Sequence, residues 1–261
     1  MRLQLRSLGT GKSLSFVRHN LPTIWRFIDF TKFVDLLDKQ ALFFCRADKF
    51  ADPYEGSYPA KFFLREKQVA ERYTEIQDYP PIHCVPEQRR RLREYVAINC
   101  WHMNEHESAA MWSLYLKSED GVAIRTSRKG LNKALSGACA TLISDNLKLL
   151  WATPVRYVDF EDDDPNLGEI GAFTLKRKSF EHERELRAII WRNVERRIEG
   201  LEPIPSNGLL VPIDLDTLVE CVYVSPTAKP WFADLVRSVI GTYGFNWKVI
   251  HSSMYDDSAL Y

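Results

Sequence analysis

The stretch FEHERELRAIIW, residues 180–191, brings Glu181, Glu183, Arg184, Glu185 and Arg187 together and then turns apolar. Read as a helix, it pairs Glu183 with Arg187 at i, i+4, worth only a few tenths of a kcal/mol on a wet surface. Read as a strand, it puts Glu183, Glu185 and Arg187 on one face and Arg184, Leu186, Ala188 and Ile190 on the other. The isoleucines and tryptophan of the tail favour the strand. Three ionisable groups in a row on a half-buried face are costly unless they pair with one another or serve a site. The chemistry such a row can do is electrostatic: fixed carboxylates beside a group that develops positive charge.

Four other stretches carry reactive residue types. GTGKS at residues 9–13 resembles the end of a phosphate-binding loop, but Arg6 stands where the earlier glycine is required and no apolar strand precedes it. CWHMNEHES invites a metal reading at His102, Glu105 and His106 with Cys100 nearby, but it lacks the H-E-x-x-H order that aligns two imidazoles on a helix and reads better as the cap of the helix that follows. The run RRRLR, residues 89–93, can meet phosphates or form a solvated helix face. Trp112 and Tyr115, three apart on an expected helix, either wall a site for a planar ring or pack in the core.

The elements that must hold these groups follow from patterning. LPTIWRFIDF reads as a strand, TKFVDLLDKQ as a helix with Thr31 as its N-cap, and ALFFCRADKF as a second strand. ADPYEGSYP is a loop, with Pro53, Gly56 and Pro59. Helical spacing from Lys61 to about Asp78 and again over EQRRRLREYV predicts a helical insertion across residues 61–97. YVAINCW and GVAIRTS read as strands around the helix ESAAMWSLYL, capped by Ser108. VRYVDF is a strand, LLVPIDLDTLVECVYVSP gives a late strand, KPWFADLVRSVIGTYG a helix ending at Gly244, and NWKVIHSSM a last strand. With no repeat and no long linker, residues 1–261 are expected to form one α+β domain.

Composition narrows the function classes. Lys+Arg 35 balance Asp+Glu 35, so nothing in the bulk charge draws the chain to nucleic acid or an anionic membrane, and any such contact needs a local patch. Five scattered cysteines without a C-x-x-C pair are expected to be reduced thiols of a cytoplasmic protein. No apolar leader and no run of about 18 apolar residues is present, so neither export nor a membrane span is expected.

IWRF, LFFCRADKFADPYEG, the CW…AAMWSLYLKSEDGVAIR block, VRYVDF and KRKSFEHERELRAI stand in the order of bacterial domain of unknown function family 2971, which the chain resembles from about Leu21 to Trp191. DPYE, MWSLY…GVAI and E-x-E-x-R are the most specific of these; RADKFADP departs from the serine or asparagine common in the family. The arrangement is more distantly similar to ADP-ribosyltransferase-like domains. That similarity implies mainly antiparallel mixed sheets forming a split cleft, NAD as substrate without a metal, and a macromolecular acceptor, nucleic acid or protein. It implies Arg26 on the first strand holding pyrophosphate or ribose, Phe44 to Asp48 on the second, and Glu185 or Glu183 as the catalytic carboxylate. Arg187 would orient the glutamates and meet the cofactor, and Phe44, Trp112 or Tyr115 would flank it. Such domains often act as toxins or antiphage effectors with an antitoxin partner. The same residues also fit a non-enzymatic binding module built on an ion-pair network, or a hydrolase of another nucleotide-like substrate.

Overall fold

Alternation in TIWRFID makes Thr23–Asp29 a strand (β1), and the chain turns from it directly into the helix Phe30–Lys39 (α1). The cap of α1 is Asp29, not Thr31. Its extended backbone (φ −66°, ψ 158°) lets the carboxylate accept from Lys32 N at 2.8 Å, and the Thr31 hydroxyl donates to the same carboxylate. Gln40, left-handed at φ 44°, ends α1 and starts the strand Ala41–Arg46 (β2). This computed structural model describes residues 23–75, 86–116, 120–165, 167, 170–192 and 200–256.

The remaining strands are β3 (Val96–Met103), β4 (Gly121–Ser127), β5 (Leu147–Pro154), β6 (Arg156–Val158), β7 (Leu175–Arg177), β8 (Glu185–Arg192), β9 (Leu209–Pro212), β10 (Cys221–Val224) and β11 (Lys248–His251). The remaining helices are α2 (Ala60–Glu75), α3 (Pro86–Leu92), α4 (Ala109–Tyr115), α5 (Arg128–Ser136), α6 (Cys139–Ser144), α7 (Leu215–Leu218) and α8 (Pro230–Thr242). The protein is therefore α+β. The expected insertion contains α2 and α3, and β3 begins at Val96. Two further expectations are corrected. The segment expected to yield one strand at VRYVDF holds β5 as well as the short β6, and the late strand is two, β9 and β10, separated by α7.

Among the described residues the main sheet runs β11-β10-β4-β1-β3-β2-β9, with β8 on the other side of β3 and β5 beyond it; β10 and β11 are parallel and the other pairings antiparallel. One edge of β3 is shared. Its C-terminal end pairs with β1 (Ile24 with Met103, Trp25 with His102), and its N-terminal end pairs with β2 (Cys45 with Ile98, Arg46 with Ala97). Between those contacts β1 and β2 leave β3 and a gap opens.

One face of the sheet, carrying Ile24, Trp101, Val122, Ile124, Ala188 and Val222, is covered by the apolar sides of α1, α5 and α8. The opposite face carries two separate apolar clusters. Trp25, Phe27 and Ala123 pack against Met111 and Trp112 of α4, and Val96, Ile98 and Ile189 pack against Leu92, Tyr95 and Phe173. Between them the sheet is polar: register puts Cys100 opposite Arg187 and His102 opposite Glu185. A strip of ionisable groups interrupts a buried face.

The loop before α2 is bound to this strip. Gly56 sits at φ +66°, and a Cβ there would run into the ring of Phe173. Gly56→Ala is expected to cost more than about 2 kcal/mol, from left-handed strain and overlap with Phe173, and to lower the thermal midpoint by roughly 4–8 °C. A melting curve checks it.

Candidate functional site

The carboxylates come from two different backbones. The expected strand through Glu183 is corrected: Lys178–Glu183 is 3-10 helical, Arg184 turns the chain at φ 40°, and β8 begins only at Glu185. Glu185 and Arg187 then share a strand face, while Glu183 reaches the same place from the preceding turn. Lys176 on β7 joins them, bonding Glu183 and, at 3.2 Å, Glu185.

Arg187 is fully buried, and its five N–H donors make five bonds. Nε and Nη2 meet Glu185 at 2.7 and 3.2 Å, Nη1 and Nη2 meet Glu55 at 2.7 and 2.9 Å, and Nη1 also reaches the Phe173 carbonyl at 2.8 Å. No donor remains for a ligand. So bonded, Arg187 fixes the position of Glu185. Burial opposes the charge on Glu185, but Arg187 and then Lys176 outweigh it and hold the carboxyl at about 2. Glu55 goes the other way, its burial outweighing the same guanidinium and raising it. Burial, then the Glu185 carboxylate, keeps the Cys100 thiol protonated. The Tyr157 hydroxyl accepts the Glu185 backbone N–H at 2.7 Å and is itself pushed up to about 12 by burial.

Glu185 forms part of the wall of a cavity of about 240 Å³ at the gap between β1 and β2. Arg26, Phe43, His102, Tyr115 and Glu183 line it too. Trp25 pairs with His102 and His102 with Glu185, so these three share a sheet face and Arg26, one residue on, starts from the other. It lines the same cavity because β1 has by then separated from β3, and its guanidinium lies 5.8 Å from the Trp101 ring. Arg26 Nη1 is shut off from solvent and has no hydrogen-bond partner. Burial makes its charge costly and lowers its pKa.

The other expected residues separate. Phe44 is buried in the main core and does not line the cavity; β2 alternates, so Phe43 and Cys45 do. Trp112 is also core, edge-on to Phe27 at 4.9 Å with its Nε1 on Glu107, while the i, i+4 pair Met111 and Tyr115 faces the cavity. Of RRRLR, Arg90 and Arg91 are exposed, Leu92 is buried and Arg93 bonds back to Pro53 and Ser57. GTGKS lies outside the described residues. Among the described residues no three His, Cys, Asp or Glu side chains are grouped to hold a metal, Cys45, Cys100, Cys139 and Cys221 are free thiols, and no helix is long and apolar enough to cross a membrane. Cys84 lies outside them.

Glu55, Lys176 and Tyr157 were not picked out from the sequence. Glu55 stands in the DPYEG turn, 132 positions from the arginine it pairs with, and only its place in a quoted motif hinted at a role. Comparison of the chain with protein-family models, with curated proteins and with solved structures finds no match in any of the three.

Proposed function

We propose that the protein is an NAD-consuming enzyme of the ADP-ribosyltransferase type, with the cavity as the near half of an ADP-ribosyltransferase-like split cleft. One observation carries this reading: a buried carboxylate, Glu185, kept ionised by Arg187 and Lys176, shares a cavity with Arg26, whose Nη1 has no partner. Cleavage breaks the bond between nicotinamide and ribose; the electron pair leaves on the nicotinamide nitrogen and positive charge develops on the sugar. A carboxylate already ionised and already fixed stabilises that charge without reorganising. The acceptor closes the reaction by bonding to the sugar carbon and losing a proton. Arg26, a planar fork in want of acceptors, suits the pyrophosphate. A cavity of about 240 Å³ is smaller than the roughly 300–1,000 Å³ of pockets for drug-sized ligands, so it fits the nicotinamide riboside end with the rest of the dinucleotide at its mouth.

The acceptor in this reading is a macromolecule in the cytoplasm, and exposed Arg90 and Arg91 on α3 supply a local cationic patch for nucleic acid. A toxin or antiphage role, with an antitoxin partner, extends the same proposal. The saturated bonding of Arg187 favours one second reading, an ion-pair network that only stabilises a binding module. Purified protein given NAD and RNA, DNA or protein acceptors is expected to release nicotinamide and label one of them. Neither release nor label would leave the binding module.

A further inference from the structure

His102 is the other cavity residue with an unmet bond. Its Nδ1 lies 2.6 Å from the Glu183 carbonyl oxygen, which can only accept, so Nδ1 carries the proton and Nε2 presents a lone pair. Burial lowers its pKa, so the ring is neutral at neutral pH. Nε2 is buried and without a partner. An isolated acceptor of this kind costs free energy until a donor reaches it. Around it the cavity is aromatic, with Trp25, Phe27 and Tyr115 in its wall, and acidic, with Glu183 and Glu185.

We propose that His102 selects the leaving group: its Nε2 accepts an N–H from the carboxamide of a planar ring in the cavity and turns away the corresponding carboxylate. The inference rests on the NAD reading above and specifies how one end of that substrate is recognised. A primary carboxamide brings the donor that Nε2 lacks. A carboxylate brings acceptors only: at Nε2 it would meet a lone pair with the two glutamates beside it, and Arg26, a cation in the cavity wall, is the pyrophosphate's partner in the NAD reading. The ring itself stacks or packs edge-on against the aromatic wall.

Calorimetric titration of nicotinamide and nicotinate into the wild type, His102→Phe and His102→Gln tests it, with NAD cleavage followed in parallel. The wild type is expected to bind nicotinamide at least about tenfold more tightly than nicotinate. His102→Phe, which keeps an aromatic ring beside Phe27 but has no acceptor, is expected to lose most of that preference. His102→Gln, whose amide oxygen accepts, is expected to keep it. If His102→Phe retains the full preference while NAD is still cleaved, the inference falls and the NAD reading stands. If the wild type neither binds nicotinamide nor cleaves NAD, both fall.

Discussion

Arg187→Met is expected to be the most damaging single substitution at the site, lowering stability by about 3–5 kcal/mol, because it strands two buried carboxylates rather than because it deletes attractive contacts. Methionine fills much of the same space, but Glu55 and Glu185 would then both lose their guanidinium partner, leaving Lys176 bonded to Glu185. Urea unfolding at neutral pH measures the loss. The pH dependence identifies its cause. In the wild type the folded pKa of Glu185 is depressed from 4.5 to about 2, so its contribution is present above 4.5 and fades as pH falls toward 2. In Arg187→Met the stranded carboxylates have raised folded pKa values, so the deficit is full at neutral pH and shrinks as acid protonates them. Adding Glu55→Gln to Arg187→Met is expected to recover part of the loss, since it removes one of the two charges. A single variant melting within 2 °C of wild type at neutral pH, where about 3 kcal/mol predicts a drop of at least about 6 °C, would contradict a network held together by this guanidinium.

The first three elements were legible because local rules and burial agree there: alternation in TIWRFID, an amphipathic FVDLL, then ALFFCR against the core. β5 was not, because it is bulged between Leu150 and Thr153 and its burial alternates only in part. The same distinction runs through the site. Glu185 and Arg187 could be paired from their period of two, but the break before them depends on Arg184 adopting a left-handed conformation, which few non-glycine residues do and which its neighbours do not announce. Two adjacent phenylalanines made Phe43 and Phe44 equivalent until the sheet fixed which face held the cavity. His102 was visible as a reactive type, in a stretch that invites a metal reading but lacks the order for it. Its actual state depends on the carbonyl of Glu183, which reaches it across 81 positions of chain. Groups that meet through the fold alone, Glu55 with Arg187 above all, leave no spacing to read.

Glu185→Gln is expected to lower the rate of NAD cleavage by about 10²–10³-fold with little change in KM, the signature of an interaction made chiefly in the transition state. Glutamine keeps the shape and one oxygen for Arg187 Nε, so the protein should fold. It gives up the charge that, in the NAD reading, stabilises the developing sugar cation, and it turns an N–H₂ toward Arg187 Nη2 and Lys176, which are donors already. That mismatch is expected to cost about 1–3 kcal/mol at neutral pH. Because the lost contribution belongs to an ionised carboxylate, the gap between wild type and variant should narrow as pH falls from 4.5 toward 2. Glu183→Gln separates the two glutamates. Glu183 lies in the turn before β8, is less buried, and has Lys176 but not Arg187 as its partner, so its substitution should cost less activity. Wild-type turnover in Glu185→Gln together with a dead Glu183→Gln would move the catalytic carboxylate from the first residue of β8 to the turn before it, leaving Arg187 to hold a structural glutamate.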